Sequence, residues 1–494
     1  MRHRRIAPLI VATALFMETT DSTVIATALP AIAADLGEDP ISLKLAITSY
    51  LIALAIFIPV SGWMADRFGA RTIFRAALGV FITGSIACAL ADSLGGFVAA
   101  RFLQGMGGSM MVPVGRLVVL RGTPKHELVG ALAFLTVPAL VGPVIGPPLG
   151  GFITLAFSWR WIFLINVPIG ILGIVLASIY IENLKEDDTP PFDWRGYLML
   201  GGGLATLMLG LATAGRHLLP LWASLASFAL GGVLLAAYAR HVRRVAHPVM
   251  GFALMALPTF RAGVIGGALF RLGVGAIPFL LPLMLQLGFG YDPLQSGAIT
   301  FAAAAGALFM KALAARILRT AGFRVILVWN SLVCAAFIGV MGLFRPDWPQ
   351  ALILLLLLVG GCFRSLQFTA LNALSVADVV RRDMSQATTL SSVVQQVALA
   401  VGVTVAAFAL EAASALQGHS TLVTEDFGPA FFFMAALSAL SFLVFRGLDP
   451  GAGSEMSGHG RRIEPAAGPQ TPTASKTVIP DAEGGPGPRS PPLQ

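Results

Sequence analysis

The sequence predicts an all-α membrane protein that crosses the bilayer many times. Of its 494 residues, 56% are hydrophobic and only 12% are charged, whereas a soluble protein carries about 25% charged residues. Apolar runs that are long enough to cross a bilayer recur from one end of the chain to the other. They lack the weak alternation over short segments that is typical of a membrane β-barrel, so we expect helices.

Fourteen candidate spans follow from the apolar runs and from the charged or helix-breaking clusters between them. They cover residues 7–30, 43–63, 73–92, 97–119, 127–152, 162–181, 196–214, 218–239, 262–286, 294–316, 323–343, 350–373, 387–411 and 428–446. Basic residues concentrate in alternate connectors, such as the one that holds Arg240, Arg243 and Arg244. Because basic connectors face the cytoplasm, we expect both termini to be cytoplasmic and the protein to lie in a plasma or inner membrane.

The formal net charge of +8 does not predict a nucleic-acid surface, because the basic residues lie in short connectors, where they determine topology. The three cysteines lie in apolar runs without metal-ligand spacing: Cys88, Cys334 and Cys362. Such cysteines behave as small hydrophobic residues. We therefore expect no nucleic-acid partner, no metal and no cofactor.

Span one carries two carboxylates where hydrocarbon is expected. Glu18 and Asp21 are three residues apart, so they share one helix face, and Ser22 joins them. An ionisable side chain at the middle of a membrane costs about 2.5–3.5 kcal/mol, which makes this pair a candidate functional site. Three threonines occupy the opposite face and are expected to donate to carbonyls of their own helix: Thr20, Thr23 and Thr27.

Span four combines an arginine with a smooth helix face. Arg101 lies above a stripe of mainly small residues, with Gln104 beside it: Gly105, Gly108, Val112 and Gly115. Because spans one and four run in opposite directions, we expect Arg101 at a depth similar to that of the two acids. We predict that Arg101 stabilises the charged form of Asp21 or Glu18 when close and releases it when moved away. The alternative is an interfacial arginine whose charged end extends to water.

The connector between spans two and three holds an Asp-Arg pair bracketed by glycines: Gly62, Asp66, Arg67, Gly69 and Arg71. The glycines permit a tight turn, and Asp66 can cap the following helix or pair with an arginine. We predict a cytoplasmic latch that breaks and re-forms as the halves of the protein move. The alternative is an ordinary basic connector.

Span five is rich in glycine and proline. Gly142, Gly146 and Gly150 have the spacing of a small-residue face for close helix packing. Pro143 lies among them, and Gly151 ends the motif. Because prolines bend helices, we predict a span that bends. Close packing alone is the alternative.

These motifs resemble those of the major facilitator superfamily, and within it those of the fourteen-span drug:proton antiporter branch. Residues 21–30 and 161–168 add to the resemblance, which covers essentially residues 6–446. It implies two six-helix bundles plus two extra central helices, namely spans seven and eight. It also implies that Asp21 handles protons and that Arg101 is its proton-coupling partner. Glu18 is not part of the family pattern, so its role depends only on its helix face.

A faint internal repeat relates the two ends of the chain. Arg101 and Gln104 of span four recur as Arg364 and Gln367 of span twelve. A second pair of motifs also matches: Gly69 and Arg71 with Gly322 and Arg324. We therefore expect an N-terminal six-helix bundle at 1–181, a linker with two extra spans at 182–255, a C-terminal six-helix bundle at 256–446 and a disordered cytoplasmic tail at 447–494.

Polar residues in apolar runs are candidates for lining a cavity between the halves. The set comprises Gln104, Arg271, Arg364, Gln367, Asn372, Gln395 and Gln396. Polar side chains that join helices to each other are an equally good interpretation of the same residues.

The leading functional hypothesis is a proton-driven antiporter that exports small amphipathic compounds. Proton-coupled uptake or export of a specific metabolite by the same fold is the alternative, and the charge preference of the cavity stays open. An ATP-driven pump would need a phosphate-binding Gly-x-x-x-x-Gly-Lys-Ser/Thr motif, which the sequence lacks. The sequence shows no grouping of a nucleophile with a base and no grouping of metal ligands, so it does not predict an enzyme. We expect small-molecule substrates, protons and the lipid bilayer as partners and a monomeric protein, and we leave a periplasmic adaptor open.

Overall fold

A computed structural model describes residues 2–122, 128–183, 185–186, 189, 191–213, 220–380, 383–419 and 421–454, the side chains at 2–6, 120–122 and 128–140 excepted. Helices follow one another along this part of the chain, and no strand occurs within it. Most of the tail expected at 447–494 lies outside the described residues.

The helices are described here in three consecutive groups along the chain. The first contains α1 (Arg2–Leu36), α2 (Lys44–Phe68), α3 (Ala70–Leu90), α4 (Leu94–Gly122), α5 (Leu128–Ala156), the short α6 (Trp161–Leu164) and α7 (Asn166–Tyr180). The second contains α8 (Trp194–Thr213) and α9 (Leu221–Val242). The third contains α10 (Pro258–Leu283), α11 (Pro293–Met341), α12 (Gln350–Leu374), α13 (Met384–Gln417), α14 (Thr424–Ala439) and α15 (Ser441–Arg446).

Every predicted span coincides with helical structure, so the prediction of an all-helical membrane protein is confirmed. Within the described ranges, eleven helices are long and apolar enough to cross a membrane. One of them, the 49-residue α11, covers predicted spans ten and eleven and breaks at Gly322, where φ is 74° and ψ is 164°. Only glycine adopts this conformation without strain. The number of fourteen crossings stays a prediction.

Helices α1 and α5 pack closely through the glycine motif of α5. A Cβ atom added to Gly142 or Gly146 would collide with the hydroxyl groups of Thr19 and Thr23. One added to Gly150 would lie 2.5 Å from the carbonyl oxygen of Val24. The threonine face of α1 therefore packs on these glycines. The opposite face of α1, which carries the two carboxylates, is directed toward α2 and α4.

The threonine hydroxyls on this face mostly bond within their own helix, as predicted. Thr23 donates to the carbonyl of Thr20 at 3.0 Å, and Thr27 donates to that of Val24 at 3.2 Å. The hydroxyl of Thr20 has no hydrogen-bond partner among the described residues.

Small residues also bring α4 against its neighbours. A Cβ atom on Gly105 would lie 2.6 Å from the carbonyl oxygen of Tyr50 on α2. One on Gly84 of α3 would lie 2.5 Å from the backbone nitrogen of Gln104. These close approaches place the polar side chains of α4 within reach of α1, α2 and α3.

Several contacts join the first and third groups of helices. Gly151 of α5 faces the backbone of Pro293 on α11, and Gly297 of α11 faces the backbone of Pro147. The amide of Gln286 donates to the carbonyl of Thr27 at 2.9 Å. Helices α2 and α13 pack against each other as well.

The extra helix α8 is attached to α2 by aromatic side chains. The rings of Trp63 and Phe192 lie 4.8 Å apart, and Trp194 and Tyr197 pack against the same group. Helix α9 packs on α8, where the backbones meet at Gly203, Gly210 and Gly231.

Candidate functional site

A buried ion pair joins α1 to α4. Arg101 donates from Nη1 to Oδ2 of Asp21 over 2.8 Å, and both residues are 1% exposed. The sequence predicted that Arg101 would meet Asp21 or Glu18, and the structure brings it to Asp21. A side chain this deeply buried does not extend to water, so the interfacial alternative does not describe Arg101.

Gln104 completes a closed hydrogen-bonded group around this pair. Its side-chain oxygen accepts from Nη1 of Arg101 at 2.5 Å. Its amide nitrogen donates to Oδ1 of Asp21 and to the hydroxyl of Ser85, both at 2.8 Å. Gln104 therefore holds the acid and the base in one orientation rather than facing an open cavity.

Asn166, the first residue of α7, supplies a third donor to the acid. Its side-chain amide lies 2.9 Å from Oδ1 of Asp21 and 3.4 Å from the hydroxyl of Ser85. The carboxylate thus accepts from one guanidinium and two amides in a buried site, where charge-assisted hydrogen bonds are strong. We call the residues Asp21, Arg101, Gln104, Asn166 and Ser85 the acid–arginine group.

Glu18 lies one turn before Asp21 and has a different environment. Its Oε1 accepts from the hydroxyl of Tyr50 at 3.2 Å, and the residue is 9% exposed. In the part of the chain that the structure describes, no basic side chain pairs with Glu18. The ring of Tyr50 also lies 4.4 Å from the guanidinium carbon of Arg101, which is the geometry of a cation–π contact.

Tyr50 therefore links the second acid to the acid–arginine group, and a glycine of α4 makes room for it. A Cβ atom on Gly108 would lie 3.0 Å from the Tyr50 hydroxyl and 3.6 Å from Cγ of Glu18. The glycine stripe of α4 thus accommodates polar side chains from α1 and α2.

The predicted latch motif is attached to the chain that follows α7. Gly69 separates α2 from α3 with φ of 95°. Arg71 donates to the carbonyl of Ile181 at 3.4 Å, and the Asn183 side chain accepts from the backbone nitrogen of Thr72 at 3.2 Å. The backbone of Asp66 accepts from Glu186 at 3.0 Å. Gly62 and Arg67 are exposed.

The same geometry occurs in the third group of helices. Gly322 has positive φ at the break in α11, and Arg324 donates to the carbonyl of Arg446 at 3.2 Å. Each arginine therefore donates to a backbone carbonyl at a helix end: Arg71 to that of Ile181, directly after α7, and Arg324 to that of Arg446, the last residue of α15. This is the relationship that the internal repeat in the sequence indicates.

The antiporter motif of span five does not contact the acid–arginine group. Its glycines pack on the threonine face of α1, as described above, and Gly151 packs on α11. Pro143 is half-buried in the same helix. The motif therefore positions α1 rather than adding a polar side chain to the site.

The candidates of the third group separate into different environments. Gln367 is fully buried, accepts from the Asn330 amide at 2.9 Å and donates to the Leu327 carbonyl at 3.2 Å. This geometry favours the interpretation that it joins helices. Arg271 donates to the side chain of Asn372 at 3.1 Å. Other candidates are half-buried: Arg364, Gln395 and Gln396.

Sequence reasoning missed Tyr50 and Ser85 as site residues, and it included Asn166 only within residues 161–168, without a role of its own. Each is an uncharged polar residue in an apolar run. This is a weak signal, because single hydroxyl and amide groups are common in membrane helices, where they bond within or between helices.

The Major Facilitator Superfamily profile matches residues 11–403. The chain belongs to this superfamily. The resemblance seen in its motifs is therefore confirmed, and the protein is a multi-pass membrane transporter of small molecules.

Two relatives extend this comparison. The probable transport protein HsrA of Haemophilus influenzae is 36% identical over 87% of this chain and 92% of its own. The putative multidrug resistance protein MdtD of Klebsiella pneumoniae is 37% identical over 90% of this chain and 95% of its own. The relatives named MdtD support the multidrug efflux branch, and none of these proteins is named as an enzyme.

Solved structures show the same fold at low sequence identity. The crystal structure of a D-xylose–proton symporter matches with a TM-score of 0.64 and 16% identity, over 90% of this chain and 97% of that one. At this identity the likeness concerns the fold alone. It agrees with the expected all-helical major facilitator architecture.

Proposed function

We propose that the protein is a proton-coupled antiporter that exports small amphipathic compounds by alternating access. The observation that carries the proposal is the buried ion pair of Asp21 and Arg101, with Glu18 one turn away and without a basic partner among the described residues. Buried ionisable groups in membrane helices are typical of proton pathways. The relatives named as multidrug resistance proteins support the choice of substrate class.

The ion pair can couple proton binding to a change of shape. A proton that binds Asp21 removes the negative charge that compensates Arg101, and an uncompensated buried charge is costly. The protonated protein therefore favours an arrangement in which Arg101 has other partners or access to water. A substrate that binds one arrangement better than the other is then exchanged for the proton, and a coupling of about 1–3 kcal/mol suffices.

Glu18 provides a second carboxylate for the same process. It lies on the same helix face as Asp21, and Tyr50 contacts both Glu18 and Arg101. A proton that arrives at one acid changes the charge felt by the other. For each charge that crosses the membrane, a potential of 100 mV supplies about 2.3 kcal/mol.

The proposed architecture follows the pattern of duplicated transporters. Two six-helix bundles at 1–181 and 256–446 move against each other, and residues 182–255 supply the two extra spans of a fourteen-span monomer. Both termini lie in the cytoplasm, and the protein lies in the inner or plasma membrane. Contacts between α5 and α11 and between α2 and α13 support a closed arrangement on one side of the bundles.

The latch motif belongs to this movement. Because Gly69, Arg71 and Asn183 attach the α2–α3 turn to the end of α7, a displacement of α2 reaches the rest of its bundle through backbone contacts. We propose that Asp66 and Arg67 add a charged contact that breaks and re-forms in each cycle.

The test uses everted membrane vesicles with a proton gradient and a pH-sensitive dye. Adding a transported amphipathic compound should release protons from wild-type vesicles, whereas Asp21→Asn and Arg101→Ala should abolish the signal. Asp92→Asn, which changes an exposed connector acid, should behave like wild type. Unchanged transport in both site variants would overturn the mechanism. Proton movement in the opposite sense would instead support coupled uptake.

A further inference from the structure

The third group of helices repeats the arginine–glutamine spacing of the acid–arginine group without its acid. On α4, Gln104 follows Arg101 by three residues and bonds to Ser85 of α3. On α12, Gln367 follows Arg364 by the same interval and bonds to Asn330 of α11. The matching turns at Gly69 and Gly322 place α3 and the second part of α11 in corresponding positions.

Cysteines strengthen this correspondence. Cys88 lies one turn after Ser85, and its sulfur is 3.8 Å from the side-chain oxygen of Gln104. Cys334 lies one turn after Asn330 and lines the same cavity as Arg364. The two arginines therefore lie at corresponding positions of α4 and α12.

Helix α10, which opens the third group as α1 opens the first, contains neither Asp nor Glu. In the first group, Asp21 of α1 contacts Asn166 of α7. In the third group, Gly273 of α10 faces α14, where an added Cβ atom would lie 2.5 Å from Cβ of Ser438. No side chain of α10 therefore supplies a carboxylate where α1 supplies Asp21.

Arg364 consequently has no internal counterion. In the described ranges, no carboxylate and no other hydrogen-bond acceptor of the protein pairs with its guanidinium. It lines a cavity together with apolar residues of three helices: Val274, Ile277, Cys334, Phe337, Ile338 and Gly360. The cavity volume is about 10 Å³, which is close to the space that one water-sized particle occupies.

Arg271 offers an informative contrast. It also lacks a carboxylate partner among the described residues, but it donates to Asn372 at 3.1 Å and lies 5.4 Å from the ring of Phe368. Its guanidinium is thus partly satisfied by the protein itself, whereas that of Arg364 faces a cavity.

We propose that Arg364 binds a small monovalent anion of the size of chloride in this cavity. A charge in a membrane-spanning helix without a compensating charge is unfavourable, and Arg364 is only half-buried in the protein itself. An anion next to Arg364 would compensate the charge of its guanidinium, as the Asp21 carboxylate compensates that of Arg101. The inference concerns ion binding and does not depend on the proposed direction of transport.

The first test measures the thermal stability of the purified protein with chloride replaced by gluconate at constant ionic strength. A ligand that binds only the folded state raises the melting temperature. We expect chloride to give a saturable rise of about 2–4 °C in wild type, no rise in Arg364→Gln and an undiminished rise in Arg271→Gln. An equal melting temperature of wild type in both salts, or a full rise in Arg364→Gln, would overturn the proposal.

A second variant supplies the missing acid from the protein. Val274 lines the cavity next to Gly273, so Val274→Asp places a carboxylate near Arg364. Its melting temperature should no longer depend on chloride. Equilibrium dialysis with radioactive chloride should show one ion bound per wild-type molecule and none per Val274→Asp molecule. If Arg364→Gln does not fold, the comparison of wild type with Val274→Asp tests the proposal. Equal chloride binding by these two proteins would contradict it. Neither measurement uses a proton gradient, so a failure of the anion proposal can be told apart from a failure of the proposed transport mechanism.

Discussion

Lys44 on α2 and Glu411 on α13 form an ion pair between the first and third groups of helices. Their Nζ and Oε1 atoms lie 3.4 Å apart, and the Lys44 side chain is fully buried whereas that of Glu411 is 20% exposed. The ammonium group also lies 4.3 Å from the centre of the Phe408 ring. The pair belongs to the interface of α2 and α13, where the two halves must separate if transport occurs by alternating access.

The unequal burial of this pair predicts unequal effects of mutation. Glu411→Gln removes the carboxylate beside a fully buried ammonium group and should destabilise the protein by about 3 kcal/mol. Lys44→Met leaves a partly hydrated carboxylate and should cost about 1 kcal/mol. The double variant should be more stable than Glu411→Gln alone. Melting temperatures of the four proteins in one detergent test this, and a double variant less stable than Glu411→Gln would contradict it.

Asn166 should matter for coupling and not only for stability. Asn166→Leu removes the amide that donates to Asp21 and should destabilise the protein by about 1–3 kcal/mol, while reducing the rate of drug-driven proton movement about tenfold.

The matched control for Asn166 is Asn330→Leu, because Asn330 makes a comparable buried contact to Gln367 away from the acids. This variant should lose similar stability but keep its proton coupling per folded molecule. Equal losses of coupling in the two variants would show that Asn166 acts only as a structural residue.

The glycine contact between α5 and α1 should tolerate no added side chain. A Cβ atom at Gly150 meets the backbone of Val24 at 2.5 Å, and backbone atoms cannot move aside as a flexible side chain can. Gly150→Ala should therefore destabilise the protein by about 1–3 kcal/mol and slow transport. The control is Gly232→Ala on α9, where an added Cβ atom meets nothing within 4 Å. Thermal unfolding should show this variant to be as stable as wild type or slightly more stable.

The turn at Gly69 should depend on backbone conformation as well as on space. With φ of 95° and the side chain of Asn183 close by, Gly69→Ala should cost about 1–2 kcal/mol. Adding Asn183→Ala removes the steric contact but not the strained φ, so the double variant should stay less stable than Asn183→Ala alone. Full recovery in thermal unfolding would mean that the steric contact accounts for the whole effect.

Part of the site could be predicted because charge is rare in hydrocarbon. Asp21, Glu18 and Arg101 are conspicuous in apolar runs, and antiparallel spans place an acid and a base at similar depth. The positions of the helices followed from apolar runs and breakers in the same way. The number of crossings did not follow as firmly, because α11 continues through the break at Gly322.

Other members of the site could not be predicted. Tyr50, Ser85 and Asn166 are uncharged polar residues in apolar runs, and so are many residues that only bond to their own helix. Arg364 shows the converse case. It repeats the motif of Arg101, yet no carboxylate pairs with it among the described residues, and α10 contains neither Asp nor Glu.

The amino-acid sequence by itself determined that this chain is a helical membrane protein with an internal repeat and with ionisable residues in its first and fourth spans. It did so because hydrophobic length and the cost of buried charge are properties of single segments. Which polar groups meet was decided only by the tertiary structure, because contacts between helices depend on their depth, rotation and closest approach, and glycines on neighbouring helices control all three.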